Sequence, residues 1–593
     1  MRIADYIIQR IIDDGVKVTF MVTGRGMLYL SDAVARNPGI KGISTHHEQA
    51  AAYAAVAYAE SNNTLGACMV STGCAATNAL TGVLCAWQDN IPVVFISGQN
   101  MLHETTRFTG IPLRTFGQQE TDIVSIVKPI TKYAVMIDDP NQIGYEIDKA
   151  LYFAQSGRKG PVWIDVPLDI QDARIEPDNL VRFIPEDDKS CSLSTEDIAY
   201  VVDAFKAAQR PVILIGSGIK SADAGKLFGD FIARFPVPVT YSPSATDVYS
   251  TTHELSIGAV GSMGGTRAGN FALQNSDVLL VLGNRLSSMI TSSEYKKFAR
   301  EAKIIVVDID RIEHSKNTVK MDRLIISDVK LFLSNLMDVG ISTTDNEWIN
   351  KCLHWKNIFP KCEERYKLQE KVDLYNLTES LSETLPDNVT LLTDAGLEEV
   401  IIPTNISLKE GQRCIHPVSQ GAMGFALPAI IGAYFARGSP VVAVIGDGSI
   451  MMNLQELQTI SYHHIPAKIF VINNNGYSII RRRQQSLFRS RTIGNDPGDG
   501  VGYPSFQNIA KCFNMTYISI ESSLNLPEKI AHVLNMDGAV LCEVNGREDQ
   551  GYIHSSYARN AKNRIVNRPL EDQSPYLDRE LFLSEMIIEP IDQ

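Results

Sequence analysis

Two short polar clusters stand out by the chemistry their spacing allows. Gly446-Asp447-Gly448-Ser449 ends the apolar run VVAVI, and Asn473-Asn474-Asn475-Gly476 ends the run AKIFVIN, with Asn474 27 residues after Asp447. That spacing fits one strand-helix-strand crossover, so Asp447 and Asn474 are expected to meet at neighbouring strand ends. A carboxylate, an amide oxygen and a backbone carbonyl form a hard oxygen set suited to Mg2+, which completes its octahedron with phosphate and water. Gly446 and Gly448 let the backbone approach a diphosphate, and the helix that follows, NLQELQTISYHH, adds its positive end. Asn453 and Glu456 are spaced as a capping box for that helix. Either motif alone reads as a tight turn or a cap. The two on one crossover point to a grip for a metal and a diphosphate.

The second cluster is Thr45-His46-His47-Glu48-Gln49-Ala50, which opens the small-residue stretch AAYAAVAYAE. A glutamate at the start of a tightly packed helix complements the helix dipole. Buried, with a raised pKa, it could also handle a proton.

The elements that must position these clusters repeat along the chain. Short apolar runs alternate with amphipathic helical stretches: 66–72, 92–98, 161–167, 211–218, 277–285, 303–310, 440–448, 467–475 and 538–546. Strands apolar on both faces and followed by helices predict an α/β fold of three doubly wound units with mainly parallel sheets. The expected units are 1–180, 190–340 and 360–550, with a polar linker at 185–197 and a C-terminal tail at 551–593. Doubly wound sheets bind ligands at strand C-termini, which is where both clusters lie.

Composition removes other classes. The 593 residues suffice for several full cores, and 44% hydrophobic with 21% charged residues is ordinary for a globular chain. A net charge of −13 argues against a general nucleic-acid binder. Nine scattered cysteines without CxxC spacing read as reduced thiols of a cytoplasmic protein. The first residues, MRIADYIIQRIIDDGV, lack the apolar core of a signal peptide. The uncharged stretches 61–88 and 414–436 are rich in Gly, Ser, Thr, Asn or Pro and read as buried core, not as membrane spans.

With GDG followed by NN, the sequence resembles the thiamine-diphosphate enzymes. The resemblance implies thiamine diphosphate and Mg2+ as cofactors, with Asp447, Asn474 and the Gly476 carbonyl as metal ligands. The segment Gly421-Ala422-Met423-Gly424 is similar to the family stretch beneath the cofactor, where the match of Met423 wedges it into a bent shape. The cofactor-binding set is therefore Glu48, Gly421, Met423, Gly446, Asp447, Gly448, Ser449, Asn474 and Gly476. The His-Glu-Gln element matches the family's HEQ motif, which makes Glu48 the acid that activates the cofactor through its pyrimidine ring. Residues 71–99, 118–134, 160–171 and 258–285 resemble the acetolactate synthase large subunit, and the likeness spans about 1–550. In that group the middle unit carries a structural FAD, for which Gly216, Gly218, Arg285 and Asp308 are the candidate positions. FAD stays open, because glycines and acids at strand ends also occur in folds that bind nothing.

The departures concern the second substrate. Acetolactate synthases hold the acceptor's carboxylate with an arginine of GxRFDDR; this chain has Gly283-Asn284-Arg285-Leu286-Ser287-Ser288-Met289, so Met289 stands at the second arginine. Loss of that bidentate clamp weakens carboxylate binding. A tryptophan past the NN motif becomes Arg483 in YSIIRRRQQSLF, and the phenylalanine of FQE becomes Gln118, while Gln119 and Glu120 remain. Cys74-Ala75 replaces a Pro-Gly pair. His103 is the one histidine of GQNMLHETTRF, where pyruvate decarboxylases carry a pair. The residues expected around the substrates are His47, Gln118, Gln119, Met289, Ile480, Arg481, Arg482 and Arg483.

The resulting expectation is an enzyme that decarboxylates pyruvate or a similar 2-keto acid. It joins the two-carbon unit to an acceptor ketone, of which a nucleotide-linked keto-deoxysugar is one type. The tail is similar to those of such sugar-modifying proteins and was a candidate lid over the acceptor. The alternatives are a true acetolactate synthase, a thiamine-dependent C–C hydrolase of a cyclic dione, and a non-catalytic scaffold of the same fold. The resemblance also implies a homodimer or a dimer of dimers, its active site shared between the first unit of one subunit and the third of its partner. The expected partners are small-molecule substrates, with no nucleic acid and no membrane.

Overall fold

The computed structural model describes residues 1–185, 193–560 and 563–591. The predicted linker falls largely at 186–192, outside the described residues, as does Cys191. The other eight cysteines are free thiols.

Three six-stranded sheets follow one another along the chain. The first contains β1 (Val18–Met21), β2 (Lys41–Ser44), β3 (Gly66–Val70), β4 (Val93–Gln99), β5 (Tyr133–Met136) and β6 (Val162–Pro167). The second contains β7 (Pro211–Ile215), β8 (Val239–Tyr241), β9 (Ser256–Ala259), β10 (Val278–Leu282), β11 (Lys303–Asp308) and β12 (Arg323–Ile326). The third contains β13 (Thr390–Thr393), β14 (Arg413–Ile415), β15 (Val441–Gly446), β16 (Lys468–Asn473), β17 (Thr516–Ile520) and β18 (Val540–Asn545). Neighbouring strands pair in parallel in all three. The doubly wound α/β expectation is met.

The sheet orders locate the ligand sites. The first sheet runs β2-β1-β3-β4-β6-β5 and the third β14-β13-β15-β16-β18-β17, the same order twice. The second runs β12-β11-β10-β7-β8-β9, the order of a dinucleotide-binding fold. The order reverses between β1 and β3, between β7 and β10, and between β13 and β15, and a crevice opens beyond the strand ends at each such point.

The first and third units pack through the helices Glu48–Asn62 and Ala426–Arg437. Both are lined with small residues, so their backbones approach closely. A Cβ on Gly432 would come within 2.1 Å of the Ala54 carbonyl oxygen. The Tyr53 and Phe425 rings meet edge to face at 5.3 Å. The uncharged stretches are therefore largely interior. Among the described residues no helix is long and apolar enough to cross a membrane.

A buried ionic cluster ties the three units together. Asp247 of the second unit receives Lys220 at 2.9 Å and Arg413 of the third at 2.6 Å. Arg413 also donates to the carbonyls of Ser61 and Glu60 in the first unit. Burial works to raise the Asp247 carboxyl, but the two cations outweigh it and hold it far below the usual carboxylate range. A carboxyl depressed by folding contributes stability above its unfolded pKa of about 4 and loses it as the pH falls toward the folded value. Asp247→Asn leaves the buried Arg413 without its anion and Lys220 with Glu60 alone, and is expected to cost about 3–5 kcal/mol. Urea unfolding at neutral pH measures this, and the difference from wild type should shrink below about pH 4.

The tail, the candidate lid, lies mostly against the second unit. It runs as a strap along that unit. Its hairpin, Tyr557–Arg559 with Ile565–Asn567, leads to Glu571, which receives Gln274 and Arg300 at 2.7 Å. Asn270 donates to Gln573 at 2.8 Å, and Phe582 is fully buried against Phe271. Glu585 accepts from Lys351 and Trp355. An acidic and aromatic tail thus meets a basic and aromatic helical face. Only its first residues approach the active-site side, where the Ser555 N–H donates to the Ser262 carbonyl.

Candidate active site

At the reversal point of the third sheet, β15 and β16 deliver Asp447 and Asn474 to the same spot, as the crossover spacing predicts. Asp447 is 1% exposed, and its Oδ2 accepts the N–H groups of Asn474 at 3.1 Å and Gly476 at 3.0 Å. Gly476 has φ +136°, and a Cβ there would lie 2.1 Å from the Asn495 carbonyl oxygen, so glycine is required. The Asn474 amide nitrogen donates to Ser478, whereas its Oδ1 is buried with no hydrogen-bond partner. An orphaned oxygen beside a buried carboxylate is what a hard cation would satisfy. Burial pushes Asp447 up to about 6, with Gly476 and adjacent N–H groups pulling it back. A divalent ion would restore the ionised form. The residues present therefore fit Mg2+, held by Asp447, Asn474 and the second lone pair of the Gly476 carbonyl.

Around this cradle three side chains take parts that the spacing did not suggest. The Ser449 hydroxyl is turned inward: it donates to Asp394 and accepts from the Gly424 N–H. Asp394, at the end of β13, also accepts the N–H groups of Gly424 at 2.9 Å and Ala426 at 2.8 Å. Burial pushes Asp394 up to about 6. It fixes the loop that carries Gly421 and Met423, the latter half-buried. Gly424 has φ +79° and lies so near Met452 that a Cβ would come within 2.4 Å of it. The capping box is absent: the helix Glu456–Tyr462 has no side-chain cap. Instead Asn453 donates to the Gly424 carbonyl and to Gln49, while Glu456 accepts the His46 N–H at 3.0 Å. Both residues thereby join the third unit to the His-Glu-Gln element.

The first unit supplies the other half. His47 is the N-cap residue and Glu48 the first residue of the helix Glu48–Asn62. Within one chain Glu48 is half-buried, not enclosed, and its carboxylate accepts from Asn78 at 2.9 Å. The short helix Cys74–Asn78 starts from Gly73, where a Cβ would collide with the Gln119 carbonyl at 1.7 Å. Glu48 and Gln119 thus flank the two ends of that helix. Gln119 holds φ +61°, and Gln118 is exposed and accepts from Arg25. His103 is exposed.

Between the three units lies a cavity of about 630 Å3. Gly216, Gly218, Arg285 and Asp308 line it at the ends of β7, β10 and β11, the reversal point of the second sheet. Gly216 and Gly218 are glycines because the Gly283 loop presses on them, with a Cβ meeting it at 2.2 and 2.6 Å. Met289, Ile480 and Arg483 line the same cavity. The three arginines separate. Arg482 and Arg483 are exposed, whereas Arg481 is buried and donates to the carbonyls of Asn474, Asn475 and Glu548. Arg481 braces the Asn474–Asn475 backbone.

Four further residues belong to the site and were not singled out from sequence. They are Asp394, Glu398, Glu399 and His416. Glu398 is 3% exposed, with Oε1 unpartnered beside Gly446; burial pushes it up to about 8. The one signal for the first three was TDAG at the end of the short run TLLT, which is too brief to read as a strand; His416 had none.

The duplicated sheet order, the carboxylate-amide cradle at the reversal point and the acid-bearing helix define the class. Residues 1–126 match the N-terminal TPP binding domain of thiamine pyrophosphate enzymes, 198–336 their central domain, and 394–544 their C-terminal TPP binding domain. The chain belongs to the thiamine pyrophosphate enzymes, on their acetolactate synthase-like branch. It is 30% identical to the acetolactate synthase isozyme 1 large subunit of Escherichia coli, covering 91% of this chain and 93% of that one. It is 29% identical to the acetolactate synthase large subunits of Haemophilus influenzae (96% and 99% covered) and Lactococcus lactis (91% of each).

Proposed function

We propose that this enzyme decarboxylates pyruvate, or a similar small 2-keto acid, and ligates the two-carbon unit to an acceptor ketone other than a second pyruvate. Bound thiamine diphosphate would supply the carbon nucleophile that makes decarboxylation and ligation feasible. The chain's residues would hold it. Asp447, Asn474 and Gly476 take the metal, Gly446 and Gly448 the diphosphate, Met423 the bend, and Glu48 a proton at the pyrimidine ring. Gln119 orients the donor. The observation that carries the acceptor reading is the cavity wall. Met289 replaces a carboxylate-clamping arginine, and Arg483 replaces an apolar aromatic. A pocket changed in this way suits a polar acceptor with an anionic group, such as a nucleotide-linked keto-sugar. FAD would occupy the inner part of the same cavity, at Gly216, Gly218, Arg285 and Asp308. A homodimer in the cytoplasm completes the reading.

Acetolactate synthase itself is the second reading, favoured by the likeness to acetolactate synthase large subunits. One experiment separates the two: incubation with pyruvate and a panel of keto-sugar nucleotides, followed by mass spectrometry. The proposal expects carbon dioxide release and a 44-dalton gain on a sugar, by addition of C2H4O across the ketone. Acetolactate from pyruvate alone as the main product would favour the second reading. No carbon dioxide at all would exclude both.

A further inference from the structure

Glu399 and His416 form a charged pair on the cavity wall for which the reading above has no use. The Glu399 side chain is 17% exposed, and its Oε1 lies 3.7 Å from His416 Nδ1. His416 is 4% exposed. Its Nε2 lies 3.1 Å from the Pro243 carbonyl, which can only accept, so that nitrogen carries a proton and Nδ1 faces Glu399. Burial works against a charged ring, but Glu399 and the Pro243 carbonyl outweigh it and the His416 pKa is raised. The ring thus faces one carboxylate oxygen at ion-pair distance, without a hydrogen bond between them. The other, Oε2, lies 3.7 Å from the Cβ position of Gly421, in the loop that leads to Met423.

Glu399 lines the same cavity as Met289, Ile480 and Arg483, and Asp89 and Glu60 line it as well. The lining therefore includes an exposed cation, Arg483, and an acceptor-only carboxylate, Glu399. A carboxylate with free lone pairs takes hydroxyl donors and disfavours another carboxylate. A second 2-keto acid brings a carboxylate and no hydroxyl, whereas a hydroxylated ketone brings the opposite.

We propose that Glu399, positioned by His416, selects the acceptor by hydrogen-bonding its hydroxyl groups and turning away a second 2-keto acid. The inference rests on the carboligase reading and names its acceptor class as hydroxylated ketones.

The test is a competition within one reaction. The enzyme, loaded with thiamine diphosphate and Mg2+, is given equimolar pyruvate and dihydroxyacetone. The mixed ligation product is compared with acetolactate by mass spectrometry. The wild type is expected to favour the mixed product. Glu399→Gln should lower the ratio at least tenfold, through a raised KM for dihydroxyacetone. His416→Asn should move the ratio in the same direction, and Glu399→Asp should recover part of it. Cofactor binding, followed by near-ultraviolet circular dichroism, should match the wild type in all three variants, which separates selection from misfolding. A wild-type ratio below one, or an unchanged ratio in Glu399→Gln, would overturn this inference alone. No carbon dioxide release by the wild type would overturn the carboligase reading and this inference with it.

Discussion

Asp447→Asn is expected to leave the fold intact and to remove metal-dependent cofactor binding. Asparagine keeps an oxygen where Asp447 Oδ2 accepts the Asn474 and Gly476 N–H groups, so the loop retains its shape. What disappears is the negative charge and one hard oxygen donor. Loss of a merely supporting partner weakens a metal site by about 10–100-fold, so loss of a ligand should exceed roughly 100-fold in affinity and in turnover. Titration with Mg2+ and thiamine diphosphate, read by circular dichroism or protein fluorescence, measures it. Asn474→Ala supplies the contrasting case. The Asn474 Oδ1 is buried and unpartnered in the free chain. Removing an unsatisfied polar atom relieves a desolvation penalty of about 1–3 kcal/mol, so the metal-free protein should lose little stability or gain some. The metal-loaded protein should lose affinity. Opposite signs in the two states would mark Asn474 as a ligand and not a packing residue; equal losses in both would refute the assignment.

The legibility of this chain in its sequence followed burial. All nine apolar runs read as strands are strands: β3, β4, β6, β7, β10, β11, β15, β16 and β18. Each is covered on both faces, so each is a near-continuous apolar run. Of the nine strands not read in the three six-stranded sheets, β2, β5, β9, β12, β14 and β17 lie at sheet edges. Several there show their side chains to solvent, as β2 (KGIS) and β17 (TYISI) do. The other three, β1, β8 and β13, are only three or four residues long. Missing β13 hid Asp394 and, just after it, Glu398 and Glu399. Asp447 and Asn474 were legible because one crossover brings them together, a relation of local spacing. The bonds of Ser449 to Asp394, Asn453 to Gln49 and Arg481 to Glu548 were not legible, because no local spacing connects these pairs. Charge and length alone could not have separated a strap from a lid in the tail. That distinction lies in Glu571 and Glu585 finding Arg300 and Lys351 far away in the chain.

Glu48→Gln is expected to lower turnover by about 10²–10⁴-fold, the range of a lost general acid-base group, while cofactor affinity changes far less. Glutamine has the same length and keeps an oxygen for Asn78, so the start of the helix is retained. It cannot take up or release the proton. The structure adds a condition. In a single chain Glu48 is half-buried, and its neighbours His46 and Gln49 are tied to the chain's own third unit through Glu456 and Asn453. A carboxyl that must work in a desolvated setting therefore needs a further surface over it, which the expected dimer would supply. This can be decided by complementation. Glu48→Gln and Asp447→Asn subunits are each nearly inactive alone. If a site takes its acid from one subunit and its metal from the other, every mixed dimer has one intact site and one doubly altered site. After subunit exchange at equal amounts, half of the dimers are mixed, so activity should return to about a quarter of wild type. If each site lies within one chain, every site in the mixed dimer keeps one lesion and nothing returns. Recovery would establish Glu48 as an acid acting across the subunit boundary. No recovery, with subunit exchange confirmed, would place both groups in one chain.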